Sequence, residues 1–431
     1  MLKKSFVGFI TPRIEYDPLT GILAEPVQIP PPSTARLLVE GSFENRDAAL
    51  FSEGDAVAVG QPLRHSEQAA DYAVATVGGT VGTISAYTGD LGRNFTAVTL
   101  LRSEEAVEQT AVVVTGPPSL DTALAQLKHL PGAPPLEKFT DETKPIHTIV
   151  IYGGDNDILV TTNQYIVKSR TGALEKGIAT LKQITGVERV VLAVPGEAVQ
   201  TFGHLGAEVK KVEMTYPSAF PQMIMHNVLG QTLPAGKTCE DLGFCFITAE
   251  AVASIGETYE TGQYPVRKLI TVINKAEKQQ LVSAVIGTPL SDIFQQLGIS
   301  VQDGDRIIVG GPMTGSAVYL EDYPVMPDTS AIVVQDKDAL PFVSDYPCIN
   351  CGECVRICPV DVPINMLVRF LEAGQYEEAA DQYDLYSCIG CGLCSFTCPS
   401  KIPIYQFIRL AKYELERMKS TEETEETDES A

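Results

Sequence analysis

Eight of the ten cysteines in this chain fall into two copies of one pattern, and that pattern dictates what its C-terminal quarter must fold around. Cys348, Cys351, Cys354 and Cys358 precede Pro359; Cys388, Cys391, Cys394 and Cys398 precede Pro399. Both copies read C-x2-C-x2-C-x3-C-P, the spacing of a two-cluster bacterial-ferredoxin module. Three closely spaced thiolates can cover three irons of one cubane, so the fourth must come from elsewhere. In such modules it comes from the other motif. One [4Fe–4S] cluster is therefore expected on Cys348, Cys351, Cys354 and Cys398, the other on Cys388, Cys391, Cys394 and Cys358. Structural zinc favours paired C-x2-C knuckles with four ligands per metal and no third cysteine in step. Disulfides need an oxidising compartment, and MLKKSFVGFI does not read as a secretory leader. Cys239 and Cys245 stand alone in apolar surroundings and read as buried packing residues.

The repeat extends past its cysteines. PCINCGECVRICPVDVPINMLVRF aligns with SCIGCGLCSFTCPSKIPIYQFIRL, ending on Arg369 and Arg409. After each C-P the periodicity turns helical, with Pro363 and Pro403 suited to a first turn. FLEAGQYEEAADQYD between the copies reads as a helical hairpin. The cluster domain is thus expected to be α-helical.

The rest of the chain predicts a multidomain α/β plus β protein. Residues 1–105 hold short alternating runs (ARLLVEGS, DAVAVGQPL, TVGTISAY) broken by Gly, Pro and Asp, and suggest a barrel-sandwich, lipoyl-like β domain. Lipoyl and biotinyl carriers need a lysine at a hairpin tip; here HSEQAADYAVAT has none, which favours a scaffold. Residues 106–266 open on a poorly patterned connection and then alternate strand and helix, as a Rossmann-like parallel sheet would. Residues 267–335 read as a small β-grasp (SLBB-like) domain around one helix. Residues 336–417 are the two-cluster helical domain, and 418–431, with TEETEETDESA, an acidic tail expected to be disordered.

The net charge of −23 argues against nucleic acid and against adsorption on anionic lipid. No apolar run reaches the eighteen or so residues that cross a bilayer. No Ser–His–Asp set, paired-carboxylate site or P-loop is visible. The five histidines, at 65, 129, 147, 204 and 226, lack ligand spacing. No independent catalytic site is expected; the chemistry is one-electron transfer.

This series of domains, with PPPSTARLLVE, EGDAVAVGQPL, YPSAFPQMIMHNVLGQTLPAG, ITVINKAEK, IGTPLSDIFQQLG, VGGPMTGSAV and both cluster motifs, resembles the C subunit of Rnf complexes over nearly the whole chain. Relatives of similar build include cobalamin reductases, a proline-reductase-associated protein and the flavin subunit of respiratory complex I. The resemblance implies a peripheral subunit on the cytoplasmic side of the cell membrane, held by membrane subunits of an ion-pumping complex. It also implies an FMN and NADH site in the α/β domain, and there this sequence departs from the pattern. The glycine loop G-L-G-G-A-G-F-P-T is replaced by TALAQLKHLPGAPPLEKF, with only Gly132. The acidic N-G-A-E-C-E-P becomes YGGDNDILV, with Asp155 and Asp157. Y-P-x-G-G-E becomes Tyr216-Pro217-Ser218-Ala219-Phe220-Pro221. A loop that cradles a ligand with bare backbone cannot work with side chains in place of glycines. FMN and NADH are therefore not expected to bind. Gly153-Gly154 reads as a strand-ending turn, and Gly310, Gly311 and Gly315 as turn residues, not phosphate binders.

The expected function is electron relay between a redox carrier, ferredoxin or a cytochrome, and the membrane subunits. An acidic ferredoxin would need a local basic patch, for which Lys401, Arg409, Lys412 and Arg417 are candidates. The alternatives are an FMN-dependent NADH dehydrogenase subunit or soluble reductase of the same family, and a scaffold whose clusters serve only as staples.

Overall fold

Alternation in the sequence becomes alternation in the sheet. In the computed structural model, TARLLVE is a strand whose Ala35, Leu37 and Val39 face inward while their neighbours face out. The structure describes residues 13–21, 23–41, 51–64, 72–103, 116–196, 205–344 and 346–429, with side chains up to residue 419. These group into two units. One comprises residues 16–214 and 239–339; the other comprises residues 215–238 and 340 onward, with 13–15.

Strands of the first unit are β1 (Val27–Gln28), β2 (Thr34–Glu40), β3 (Ala56–Val57), β4 (Pro62–Arg64), β5 (Tyr72–Val74), β6 (Gly79–Thr88) and β7 (Asn94–Arg102). They continue with β8 (Thr148–Tyr152), β9 (Arg189–Pro195), β10 (Glu208–Val212) and β11 (Phe244–Thr248). The last five are β12 (Arg267–Ile273), β13 (Gln279–Val285), β14 (Arg306–Val309), β15 (Ser316–Val318) and β16 (Ala331–Gln335). An antiparallel sheet runs β2-β7-β6-β3, beside a β4-β5 hairpin. The chain between β4 and β5, where a carrier would present its lysine, lies outside the described residues.

A four-stranded sheet, β10-β9-β8-β11, is parallel throughout. All five residues of β8 are buried, as a strand covered on both faces requires. Helices Thr171–Thr185 and Ala249–Thr261 pack against each other through glycine. A Cβ on Gly177 would lie 1.9 Å from the Val252 carbonyl oxygen, and one on Gly256 2.2 Å from that of Ala173. The helix expected near 197–206 falls largely outside the described residues.

The third sheet has six strands, β1-β13-β12-β16-β14-β15, with helix Leu290–Leu297 covering it through Leu290, Ile293 and Phe294. Its outer strand β1 pairs parallel with β13, so residues 27–28 leave the N-terminal domain to which the sequence assigned them. The reason is visible in Ile29, which is fully buried in the core of this sheet.

The second unit holds the repeat. Helices Glu353–Ile357 and Ile364–Glu372 of the first copy match Leu393–Thr397 and the start of Ile404–Glu429 in the second. Tyr376–Gln382 lies between the copies and completes the expected hairpin across Gly374, whose φ is +71°. Leu367, Leu371, Ala379, Leu385, Ile404, Ile408 and Ala411 form one core. Pro363 sits at the N-cap, one position before the first helical residue, and not inside the first turn.

Two boundaries differ from the sequence reading. Residues 215–238, assigned there to the α/β domain, pack with the cluster repeat. Tyr216, Phe220, Ile224 and Met225 are among the side chains they bury. The last helix continues through Glu429 where a disordered tail was expected from 418. No glycine or proline interrupts residues 404–429, and glutamate is a good helix former.

Candidate iron–sulfur centre

Each motif is a tight loop feeding one helical turn, and the loop needs backbone that ordinary residues avoid. Gly352 and Gly392 both take φ of +75° at the helix N-caps. Two residues earlier Gly390 has φ +70°, and its counterpart Asn350 has φ +57°, a value asparagine tolerates. This geometry aims the backbone N–H groups of Asn350 and Gly390 at the sulfurs of Cys348 and Cys388, each at 3.4 Å.

The cysteines of the two motifs interleave. Burial pushes the Cys354 thiol up to about 12, and the sulfurs beside it that add to the rise include Cys348, Cys351 and Cys398. Burial likewise raises Cys391 to about 12, with Cys388 and Cys358 adding to it. Cys394 is raised well above the usual thiol range, by burial first and then by Cys388, Cys391 and Cys354. A small hollow is lined by Cys358 together with Cys388, Cys391 and Cys394, and walled by Ile389, Leu393, Tyr405 and Ile408. Cys398 is thus near enough to Cys354 to raise it, and Cys358 lines the hollow of the second triad. Cys354 and Cys394 are where the two sets meet. Buried thiols of this kind keep their protons until a metal's charge displaces them. A soft, all-sulfur donor set of four per site suits iron–sulfur clusters.

The two sets are not equally covered. Cys351 is exposed, and Phe342, Val343, Tyr346 and Ile349 near the first motif are more than half exposed. In the second set Cys391 and Cys394 are buried, as are Ile389 and Leu393 beside them, and Cys358 and Cys388 are partly buried; the first set has Cys354 and Cys398 buried but opens to solvent at Cys351.

Part of that cover is a residue that sequence reasoning placed elsewhere. The Tyr216 hydroxyl donates to the Cys391 carbonyl oxygen at 2.5 Å in a buried setting, and its ring meets Phe220 edge-on at 5.7 Å. Y-P-S-A-F-P therefore braces the second motif; its only sequence signal was a tyrosine kept without the glycines and glutamate around it. Tyr216→Phe is expected to leave the carbonyl unsatisfied and to destabilise this unit by about 1–3 kcal/mol. Loss of iron–sulfur absorbance at lower urea than in the parent protein would register it.

Several residues of the other nucleotide-site candidates in the first unit are engaged in internal contacts. Ala123, Leu127, Leu130 and Leu136, in the segment that stands for the glycine loop, are fully buried. A Cβ on Gly132 would lie 2.4 Å from the Ala251 amide nitrogen. Asp155 accepts from the Asn163 and Gln164 amides; burial raises its pKa to about 6 against the pull of these donors. Asp157 accepts from the amides of Ile158, Met313 and Thr314 and from the Thr314 hydroxyl at 2.7 Å. The loop of Gly310, Gly311 and Gly315 thus wraps a carboxylate of its own chain; a Cβ on Gly311 would lie 2.0 Å from Asp157 Cγ. Gly153 donates to the Ala193 carbonyl and abuts Val194. Cys239 and Cys245 are buried, and burial raises them to about 11 and about 12. Among the described residues, no group of three or more His, Cys, Asp or Glu converges on a single metal ion, and His65 and His204 lie outside them.

The class the site defines is a two-cluster iron–sulfur segment: residues 347–402 match the family described as 4Fe-4S dicluster domain. The particular likeness is to the C subunit of ion-translocating oxidoreductase complexes, which bears out the resemblance read from the sequence. The C subunit of the ion-translocating oxidoreductase complex of Pseudomonas aeruginosa is 25% identical over 54% of this chain and 31% of its own length. That of the Na(+)-translocating ferredoxin:NAD(+) oxidoreductase complex of Acetobacterium woodii is 26% identical over 52% of this chain and 53% of its own length. The C subunit of the Methanosarcina acetivorans ion-translocating oxidoreductase complex is 24% identical over 78% of this chain and 82% of its own length. The match thus spans about a third to a half of the first two relatives. Among solved structures, a chain of "NAD+-reducing [NiFe]-hydrogenase in the H2-reduced state" has a TM-score of 0.45 at 12% identity, covering 73% of this chain and 67% of that one.

Proposed function

We propose that this chain is the peripheral iron–sulfur subunit of an Rnf-type ion-pumping oxidoreductase, on the cytoplasmic side of the cell membrane. It relays electrons between a soluble carrier, ferredoxin or a cytochrome, and membrane partner subunits. The observation that supports this reading best is the meeting of the two motifs: Cys358 of the first lines a hollow with Cys388, Cys391 and Cys394, and Cys398 of the second lies near Cys354. Each set would hold one [4Fe–4S] cluster, supplying one-electron transfer. The chain's own part is to cross the fourth ligands, which keeps the two sites adjacent, and to jacket them with apolar side chains. Among the described residues no helix is long and apolar enough to cross a membrane, so attachment is assigned to partner subunits. The four cations suggested for docking a ferredoxin are partly engaged: Lys412 donates to the Cys388 carbonyl and Arg417 pairs with Glu414.

The remaining layout belongs to the same reading. The antiparallel sheet of residues 34–102 stands for the barrel-sandwich domain, the parallel sheet for a Rossmann-like domain without its nucleotide, and the six-stranded sheet for the β-grasp domain. Supporting the loss of FMN and NADH are Asp155 and Asp157, both engaged by the protein's own amides, and the buried leucines at 127, 130 and 136.

One observation favours the flavin-dependent alternative. A cavity of about 430 Å³ is lined by Lys128, His129, Ala133, Pro134 and Glu137 of the replaced loop, together with Arg36 and Tyr264. A cofactor inventory separates the two. Anaerobically purified protein is expected to carry about eight irons per chain, with no zinc and no flavin. Added FMN should not be retained, and NADH should not bleach the clusters, whereas a low-potential protein donor should. Stoichiometric FMN, or bleaching by NADH alone, would return the chain to the NADH-linked function.

A further inference from the structure

The repeat is symmetric in backbone and asymmetric in charge. Forty residues separate equivalent positions, so Lys412 of the second copy corresponds to Glu372 of the first. Lys412, on helix Ile404–Glu429, donates its ammonium to the Cys388 carbonyl oxygen at 2.6 Å and is partly buried. Glu372, ending helix Ile364–Glu372, is exposed. The first motif's carbonyl contact is of another kind: Arg356 reaches the Cys351 carbonyl at 3.2 Å from an exposed position while paired with Glu353. One copy thus has a fixed cation on its motif and little solvent, and the other has solvent and a carboxylate at the matching site.

We propose that Lys412 is a positioning and potential-setting residue of the second cluster site. Its ammonium fixes the Cys388 loop and makes reduction at that site easier than its burial alone would allow. Adding an electron to a buried, thiolate-ligated centre increases negative charge where water cannot screen it. A cation held within a few ångströms of the ligand loop offsets that cost and is itself poorly screened. The hydrogen-bonding and charge environment of a cluster's ligands is one of the means by which a protein sets its potential. The inverted charge at 372 and 412 would then help set the two sites of this relay apart in potential, since Arg356 on the other motif is exposed and already neutralised by Glu353. This inference rests on both sites carrying [4Fe–4S] clusters.

The test is a mediated redox titration followed by EPR on full-length protein. Signals are assigned to sites through Cys358→Ser and Cys398→Ser, and iron and sulfide are measured on every variant. Lys412→Gln keeps a donor for the Cys388 carbonyl and removes the charge. It is expected to disfavour reduction of the second site on the order of tenfold, which for one electron is about 59 mV. The first site should be unmoved, and Lys412→Arg should stay at the parent potential. Parent protein lacking two clusters would overturn the cluster reading itself. Two intact clusters in Lys412→Gln with unshifted potentials, or with both shifted equally, would overturn the role of Lys412 alone. If Lys412→Gln loses its second cluster, Lys412→Arg decides. A second site retained at the parent potential supports the charge role; a displaced potential despite the retained charge sinks it.

Discussion

Cys398→Ser is expected to remove the cluster seeded by the first motif, forty residues away, and to leave its own motif's cluster in place. The thiols grouped with Cys354 are Cys348, Cys351 and Cys398, whereas the hollow bounded by Cys388, Cys391 and Cys394 takes Cys358 as its fourth wall. Iron should fall from about eight to about four per chain, with the surviving EPR signal that of the buried site. Cys358→Ser should do the reverse and keep the more exposed site at Cys351. Serine removes a soft thiolate and offers only a harder oxygen, so little compensation is expected. If each substitution instead erased the cluster of its own motif, the ligands would not be crossed. The adjacency of the two sites would then need another cause.

Motif spacing alone makes this centre legible, because a C-x2-C-x2-C-x3-C-P run leaves few other chemistries open. Its surroundings are less legible. Nothing in Tyr216's neighbourhood announces a partner 175 residues away, and the family pattern points to a nucleotide site. Only the packing of residues 215–238 against the repeat gives its hydroxyl the Cys391 carbonyl. Lys412 reads from the sequence as a surface cation; that it faces the Cys388 carbonyl depends on how Ile404, Ile408 and Ala411 seat their helix in the core.

The sheets follow the same rule. Strands such as β2 and β8 are readable from period and apolar content, since each buries what its pattern says it must. Hidden from that reading are pairings made at long range by short segments. Val27–Gln28 is too brief for any periodicity, and joins β13 because Ile29 completes a core built from residues far along the chain. The glycines at 177 and 256 look like weak points in helices, yet each lets a backbone approach that any side chain would block. Asp157 reads as a leftover of an acidic ligand segment, and its engagement by the Met313–Thr314 turn cannot be foreseen from either stretch alone.

Lys268→Met is expected to be the most destabilising conservative-volume change in the first unit, by about 3–5 kcal/mol. Lys268 and Glu250 form an ion pair whose side chains are each only 3% exposed. Glu250 lies in the first turn of helix Ala249–Thr261, where a negative charge is favoured, and also accepts the Leu269 amide at 2.9 Å. The pair therefore ties a helix of the parallel-sheet domain to β12 of the six-stranded sheet. Methionine fills the space of lysine but strands a carboxylate without water or counter-charge. Asp155 adds a pH dependence. Burial raises its folded pKa to about 6, and the Lys268 charge opposes that rise. A carboxyl with a raised folded pKa favours the native state while protonated, and that advantage is lost as pH climbs from its unfolded value through its folded one. Removing Lys268 pushes Asp155 higher still, so the loss should be greater at pH 8 than at pH 5, read from urea midpoints at each. Glu250→Gln added to Lys268→Met should recover part of it, because the stranded charge is gone. A double variant no more stable than Lys268→Met, or a loss equal at both pH values, would show that the cost is lost packing and not an unpaired buried charge.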